Sequence, residues 1–334
     1  MRSFACLRVR RTASNTLQNV RSCLAFLGLL LTFGLLYSST SLQAASGDPP
    51  PARAQGLPQT AVPLSDIVQV AAGGQHTCAL TTGGGVKCWG YNSSGQLGDG
   101  STTDRSYPVD VVGLGSGVAA IATGGSHTCA LTIGGGVKCW GDNYSGQLGD
   151  GTSGYLTSKS SPVDVVGLSA GVAGIAAGGR GTCALITGGG VKCWGENGYG
   201  QLGDGSTTNR SAPVDVTGLG SGATVVAVGG THTCAITTTG EVKCWGWNFG
   251  GQLGDGSTQD RSSPADVSGL GSGVIVIATG DSHTCALTGA GGAKCWGSNN
   301  SGQLGDGTAG SDAKKTTPVD VVGLDAGMAA IAGG

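Results

Sequence analysis

The sequence predicts an all-β protein, a β-propeller of four-stranded blades with five full repeats of 51–54 residues plus the start of a sixth. Glycine accounts for 67 of the 334 residues and 39% are hydrophobic, so the chain can form many tight turns and still bury a core. A motif with two cysteines recurs five times, with its first cysteine at positions 78, 129, 183, 234 and 285. Each repeat contains four short β patterns, which is the strand number of a propeller blade.

Residues 1–45 have the pattern of a secretory signal peptide. They contain five arginines and no acidic residue, an apolar run over 24–36, and small and polar residues over 38–45. The apolar run is shorter than the roughly 20 residues that cross a membrane. We expect cleavage near Ala44 or Ala45 and a secreted or cell-surface protein. An uncleaved N-terminal membrane anchor is the alternative.

Residues 46–63 are rich in proline and indicate a stiff, extended linker. From residue 46 onward the chain has 13 Lys and Arg against 20 Asp and Glu, a net charge of −7. A nucleic-acid-binding surface requires clustered basic residues. This composition therefore argues against nucleic acid as a partner.

The repeats extend over residues 64–334. Their predicted bounds are 67–117, 118–171, 172–222, 223–273, 274–327 and a partial unit, 328–334. Within the first unit the predicted strands are 67–72, 76–82, 86–90 and 108–114. Because "MAAIA" near the end matches "VIVIA" at 274–278, the partial unit predicts a truncated reading of a longer gene. A five-bladed ring whose last strand completes a blade is the alternative.

The motif "A-x-G-G-x-H-T-C-A-L-T … G-G-V-K-C-W-G-x-N-x-x-G-Q-L-G-D-G … P-V-D-V" resembles the repeat of the regulator of chromosome condensation family. The resemblance implies a propeller, typically of seven blades. It also implies the family's best-known activity, guanine nucleotide exchange on a small nuclear GTPase, as one alternative function. The cysteines depart from the family pattern, which usually has apolar or small polar residues at both positions. Secreted bacterial proteins similar to this family include propellers that inhibit an enzyme through one face.

The two cysteines of each repeat fit a disulfide across a hairpin. A hairpin centred on Gly83 places Cys78 opposite Cys88 and Leu80 opposite Val86, with both cysteines on the same face. Directly opposed residues are close enough for a disulfide, and a secreted protein meets an oxidising environment. The predicted pairs are Cys78–Cys88, Cys129–Cys139, Cys183–Cys193, Cys234–Cys244 and Cys285–Cys295. Zinc or redox chemistry would favour closely spaced C-x-x-C pairs.

Three further residue types recur at fixed repeat positions, which indicates structural roles and not a unique catalytic constellation. The histidines are His76, His127, His232 and His283, expected to pack or cap turns. The tryptophans, expected in the blade core, are Trp89, Trp140, Trp194, Trp245 and Trp296. The GDG aspartates, expected to shape turns and not to bind calcium, are Asp99, Asp150, Asp204, Asp255 and Asp306. We therefore expect no catalytic residue, no metal and no cofactor.

The segment between "WG" and "PVDV" varies between repeats, and it contains every tyrosine that follows the predicted signal peptide, together with one tryptophan and one phenylalanine. From the GDG glycine to the next proline there are seven residues in units one, three and four, and ten in units two and five. Equivalent loops lie at one end of a propeller, and Tyr and Trp commonly anchor interfaces. The predicted binding residues are Tyr91, Tyr107, Tyr144, Tyr155, Tyr199, Trp247 and Phe249. The alternative is that these rings only stiffen their own loops.

We therefore expect a secreted binding propeller, not an enzyme, that engages a protein or a cell-surface glycan through one loop face. Nucleotide exchange, implied by the family, is one alternative. An extracellular enzyme with a site in the central channel is another, which the lack of a unique catalytic constellation disfavours. Membrane association is expected only if the N-terminal segment stays uncleaved.

Overall fold

The computed structural model describes residues 66–334, so the predicted signal peptide and linker (1–45 and 46–63) lie outside the described residues. These described residues form five four-stranded antiparallel sheets, and each sheet takes its four strands in chain order. They contain no helix, hence none that is long and apolar enough to cross a membrane. The all-β fold class and the four-stranded blade are as the sequence predicts.

The bounds of the twenty strands follow the repeats. Blade 1 contains β1 (Ile67–Ala72), β2 (His76–Thr81), β3 (Val86–Gly90) and β4 (Arg105–Asp110). Blade 2 contains β5 (Val118–Thr123), β6 (His127–Thr132), β7 (Val137–Gly141) and β8 (Lys159–Asp164). Blade 3 contains β9 (Val172–Gly178), β10 (Gly181–Ile186), β11 (Val191–Gly195) and β12 (Arg210–Asp215). Blade 4 contains β13 (Ala223–Val228), β14 (His232–Thr237), β15 (Val242–Gly246) and β16 (Arg261–Asp266). Blade 5 contains β17 (Val274–Thr279), β18 (His283–Thr288), β19 (Ala293–Gly297) and β20 (Lys315–Asp320).

The hairpin between the second and third strands has the register that the sequence predicts. Cys78 lies opposite Cys88 and Leu80 opposite Val86. In every blade the structure joins the two opposed cysteines by a disulfide, with 4.1 Å between their Cα atoms. The cysteines are buried, so each disulfide is part of the blade core as well as a covalent clamp on the hairpin.

The predicted bounds of the fourth strand are wrong. β4 covers Arg105–Asp110 and not 108–114. Val111 and Leu114 instead form a turn that folds back on β3: Val111 N donates to Val86 O, and Val86 N donates to Leu114 O at 2.9 Å. Both side chains are buried. Their apolar character reflects this packing, which sequence alternation cannot distinguish from a strand.

The core lies between neighbouring blades, where a repeated hydrogen-bond network joins them. In blade 2, Trp140 is fully buried and its Nε1 donates to Gln96 O of blade 1 at 3.0 Å. Thr128 Oγ1 donates to the same oxygen at 2.9 Å, and His76 Nε2 lies 2.8 Å from Thr128 Oγ1. Because Thr128 has given away its only proton, His76 Nε2 must be the donor. The histidine is a packing residue, as predicted.

Burial keeps these histidines neutral. Desolvation lowers the pKa of His76 to about 4 and the pKa values of His127 and His232 to about 3. The Nδ1 atom of each of the three has no hydrogen-bond partner within the described residues. A proton on Nδ1 would therefore bring a buried, unpaired charge.

Blade 3 has Gly181 where the other blades have the histidine. A cavity of about 10 Å³ lies beside this position between blades 3 and 4, lined by residues that include Gly181, Thr231, His232 and Thr233. This is room for about one water molecule. The interface between blades 3 and 4 is thus the interface without a histidine.

Residues 328–334, predicted to begin a sixth blade, form no strand in the structure. Met328 N donates to Gly291 O, and Asp281 N donates to Gly334 O at 3.2 Å, so the segment lies against blade 5. A sixth blade stays a prediction.

Candidate functional site

The variable loops share a common base at one end of the blades. The β3–β4 loop meets the β1–β2 turn there, since Tyr91 N donates to Gln75 O at 2.9 Å. The hairpins between the second and third strands lie at the opposite end. We call the first end the loop face; it consists of residues 73–75 and 91–104 and their equivalents in the other blades.

A buried asparagine organises each loop. Asn92 Nδ2 donates to Asp99 Oδ1, Ser101 O and Thr103 O, while its Oδ1 accepts Leu97 N. The same position in the other blades is Asn143, Asn197, Asn248 and Asn299, all fully buried. Because the base is anchored inside the blade, the residues beyond it can vary without disturbing the strands.

The GDG aspartates complete this base. Burial alone would raise the pKa of Asp99, but hydrogen bonds from Ser101 and Arg105 outweigh it and hold that pKa below its usual value. The basic partner changes with loop length. The seven-residue loops use arginine, as in Arg105–Asp99 at 2.7 Å, and the ten-residue loops use lysine, as in Lys315–Asp306 at 3.2 Å. The aspartates thus act in turns, as predicted, and residues 66–334 hold no group of three or more His, Cys, Asp or Glu placed for a metal ion.

Five of the seven predicted binding residues gather into two clusters. The blade 2 cluster consists of Tyr144, Tyr155 and Arg180: the two rings meet edge to face at 4.9 Å, and the guanidinium lies 5.7 Å from the centroid of the Tyr144 ring. In this cluster Arg180 is supplied by the β9–β10 turn of blade 3. The cluster therefore bridges two blades.

The blade 4 cluster consists of Tyr199, Trp247, Phe249 and Lys314, which come from three consecutive blades. Its ring centroids are 6.0 Å apart for Tyr199 and Trp247, and 6.3 Å for Trp247 and Phe249. Lys314 Nζ lies 4.9 Å above the Phe249 ring and donates to Phe249 O at 3.2 Å. Tyr144 and Tyr199 are half-exposed, and Phe249 is 68% exposed. Each of these three rings thus contacts a neighbouring side chain while a large part of it stays exposed to solvent.

The structure separates the other two predicted residues from these clusters. Tyr91 lies alone on the blade 1 loop, where it is 41% exposed. Tyr107 lies within β4, the outermost strand of blade 1, and not in the loop. Its ring is exposed at the blade edge.

Sequence reasoning missed three residues of the loop face: Arg180, Lys314 and Leu156. Arg180 replaces the uncharged residues at its repeat position, Gln75, Ser126, Thr231 and Ser282, and that exception could have identified it. It also lies 3.9 Å from Asp142, whose Oδ2 accepts from Gln147 Nε2. Leu156 is fully exposed at the tip of the ten-residue loop of blade 2.

Five repeated four-stranded blades with variable loops at one end define a β-propeller. The chain belongs to the RCC1-like domain family, whose family model matches residues 34–334. The RCC1 domain-containing protein RUG3, mitochondrial, of Arabidopsis thaliana is 37% identical over 259 residues, covering 75% of this chain and 58% of the relative. The chain thus spans a little over half the length of that curated relative.

Two solved structures show the same fold. Human WBSCR16 has a TM-score of 0.69 and 28% identity, with 80% of this chain and 70% of that chain covered. Prp20p of Saccharomyces cerevisiae, described with its binding to Gsp1p and histones, has a TM-score of 0.67 and 22% identity, with 76% and 63% covered. At this identity the yeast structure supports the fold alone.

Proposed function

We propose that the protein is a secreted β-propeller that binds a protein partner through its loop face. The observation that carries the proposal is the gathering of half-exposed aromatic rings and cations into two clusters that bridge neighbouring blades. Large rings held in place lose little entropy on binding, and Tyr, Trp and Arg dominate the energetics of interfaces. Rings that only stiffened their own loops would be buried in those loops.

The arrangement of the cations favours a protein over a glycan. A sugar stacks on the open face of an aromatic ring, but Arg180 and Lys314 lie over the faces of Tyr144 and Phe249. Beside these cations the exposed surface offers apolar ring atoms, hydroxyl groups and charges, which suits hydrogen bonding and apolar contacts with a protein surface.

Secretion is supported by the N-terminal pattern of arginines, apolar run and small residues over 1–45. The five disulfides agree with it, because such bonds persist in oxidising compartments. An extracellular propeller would meet partners outside the cell. Nucleotide exchange on a small GTPase remains the alternative that the family implies.

The test starts with the protein purified without reducing agent and used to capture proteins from the medium and cell envelope of the source organism. Each captured protein is identified by mass spectrometry, purified and titrated. We expect a Tyr199→Ala/Trp247→Ala/Phe249→Ala variant to bind at least about 30-fold more weakly, since interface anchors are commonly worth 2 kcal/mol or more. The matched control is Ile133→Ala, an exposed apolar residue on the hairpin at the opposite end.

Equal affinity of the wild type and the triple variant would contradict the proposal. A captured small GTPase whose nucleotide release the protein accelerates would support the exchange alternative instead. Melting temperatures of all variants are measured in parallel. They separate loss of binding from loss of fold.

A further inference from the structure

The ten-residue loop of blade 2 projects an unusual tip. Tyr155 is 84% exposed and Leu156 is fully exposed. Leu156 also has φ +67°, in the left-handed region, and shares a positive φ with just one other non-glycine residue among residues 66–334, Asp66. A leucine in this conformation costs free energy. Leu156 is thus both strained in its backbone and fully exposed to solvent.

Loop length does not explain this tip, because blade 5 has a loop of the same length. Gly154 and Gly310 occupy the same position in their loops and have similar φ values. Each donates its N–H to the main-chain oxygen of the buried asparagine of its blade. Blade 5 has Ser311 and Asp312 where blade 2 has Tyr155 and Leu156, and Asp312 has no positive φ. The apolar pair and the strain are therefore specific to blade 2.

Contacts at its base hold the tip in place. Gly154 N donates to Tyr144 O at 2.9 Å, and Thr157 Oγ1 donates to Gly154 O at 2.8 Å and to Asn143 O at 3.2 Å. The Tyr155 ring leans edge to face on Tyr144, which lies under the Arg180 guanidinium. Leu156 is consequently presented outward on a fixed support, and little further order is lost when it is bound.

We propose that Tyr155 and Leu156 anchor the protein partner, with Leu156 inserting into an apolar pocket and Tyr155 covering its rim. This inference rests on the proposed function and specifies the partner as a folded protein with a leucine-sized pocket. The residues around the pair, Ser153, Gly154, Thr157 and Ser158, are small and uncharged, so the pocket is expected to be apolar and not charged. Strained, exposed residues are a recurrent feature of binding sites.

Two other partners of the Tyr155–Leu156 tip, a membrane and a second copy of this chain, agree less well with the structure. An anionic membrane attracts basic residues, but the loop face has Arg180 and Lys314 against Glu196, Asp281, Asp312 and the aspartates of all five loops. A second copy of this chain would have to offer an apolar pocket, but the cavity between blades 3 and 4 lies between the blades and is lined largely by glycine, threonine and histidine.

The experiment uses the full chain with the photo-crosslinking residue benzoylphenylalanine at position 156 or, as matched control, at position 312. Each is irradiated with the proteins of the medium and cell envelope of the source organism. We expect one protein to be linked at 156 and not at 312. That protein is purified and titrated with wild type, Leu156→Asp, Leu156→Gly and the control Asp312→Leu.

We expect Leu156→Asp to weaken binding about 30-fold and Leu156→Gly about 10-fold, with Asp312→Leu unchanged. Leu156→Gly relieves the strain, so its melting temperature should stay the same or rise while affinity falls, which a purely structural role cannot produce. Flotation with vesicles of phosphatidylcholine and phosphatidylglycerol, 3:1, tests the membrane.

Three results would overturn the anchor: no protein linked at 156 beyond the control, affinity unchanged in both Leu156 variants, or flotation that depends on Leu156. If the Leu156 variants bind normally while the Tyr199/Trp247/Phe249 alanine variant does not, the loop face is the binding site without this anchor. If neither set of variants loses affinity, the proposed function fails with it.

Discussion

Between blades 2 and 3 a histidine ring fills the interface, whereas between blades 3 and 4 the same position is a glycine. At the first interface, Thr182 and Trp194 both donate to Gln147 O, and His127 Nε2 lies 2.9 Å from Thr182 Oγ1. At the second, the threonine and tryptophan bonds to Gln201 O persist at 2.9 and 3.0 Å. A small cavity lies beside the glycine.

The comparison teaches which part of the interface is essential. The tryptophan, the threonine and the carbonyl oxygen form the same geometry with or without the histidine. The ring therefore adds packing and one hydrogen bond to a network that can form alone. It also adds a titratable group that can be buried only while it is neutral.

We expect the largest difference between the interfaces that contain a histidine and the interface that contains Gly181 to be in their stability in acid. The pKa values of His76, His127 and His232 are about 4, 3 and 3 in the folded chain, below the usual 6.5 of an unfolded one. Below pH 6.5 the unfolded chain binds protons that the folded chain does not. The stability from neutral burial is thus complete above pH 6.5 and is lost as pH falls towards 4. Each histidine should lower the free energy of unfolding by about 1.4 kcal/mol for each pH unit below 6.5 in that range.

Urea denaturation at a series of pH values checks this prediction. The acidic groups of the GDG turns also destabilise the fold on protonation, because their pKa values are held low, but they act below about pH 4. A stability that stays flat between pH 6.5 and 4 would contradict the assignment of these histidines as neutral and buried.

A second test converts the filled interface into the empty one. His127→Gly should destabilise the protein by about 2–4 kcal/mol, because it removes a buried ring and leaves a cavity. The matched control is Gly181→Ala, whose added Cβ would lie 3.6 Å from Val228 Cγ1, an ordinary contact. We expect that control to change stability by less than about 0.5 kcal/mol. A cost below about 1 kcal/mol for His127→Gly would mean that the ring contributes little.

The smallest expected effect comes from the reverse change, Gly181→His. In the other blades the residue three positions before the histidine is a glycine, and a Cβ added to it would lie 2.1–2.7 Å from the histidine ring. Blade 3 also has a glycine at this position, Gly178. If the Val228 side chain, whose Cγ1 would lie 3.6 Å from a Cβ at position 181, turns aside, the new ring should donate to Thr233 and add about 1 kcal/mol at pH 7.5. It should also steepen the loss of stability in acid. Thermal unfolding at pH 7.5 and pH 5 measures both, and destabilisation at pH 7.5 would show that blade 3 differs in more than this residue.

Much of the blade was predictable from local sequence. The bounds of β1 and β3 match the prediction, and the cysteines are opposed because the period of a strand and the length of the glycine turn fix the register. The fourth strand was misplaced because Val111 is buried in a turn, and alternation alone cannot reveal that.

The candidate site was only partly predictable. The aromatic residues stood out because they break the repeat, and five of them do meet in clusters. Their contacts with cations could not be predicted, since Arg180 lies 36 residues beyond Tyr144 and Lys314 lies 65 residues beyond Phe249. These contacts arise from the stacking of blades, which brings distant loops together. The positive φ of Leu156 likewise has no local sequence signal.

The buried asparagine at the base of each loop has a consequence for how such a chain can change. Asn92 and Asn143 hold loops of seven and ten residues with the same bonds, Nδ2 to the GDG aspartate and Oδ1 from the leucine N–H. Loops that differ in length and sequence beyond this anchor thus stand on the same arrangement of four strands. Recognition and foldability are therefore encoded by separate residues of one repeat, so new specificities can be selected, or grafted in the laboratory, one loop at a time.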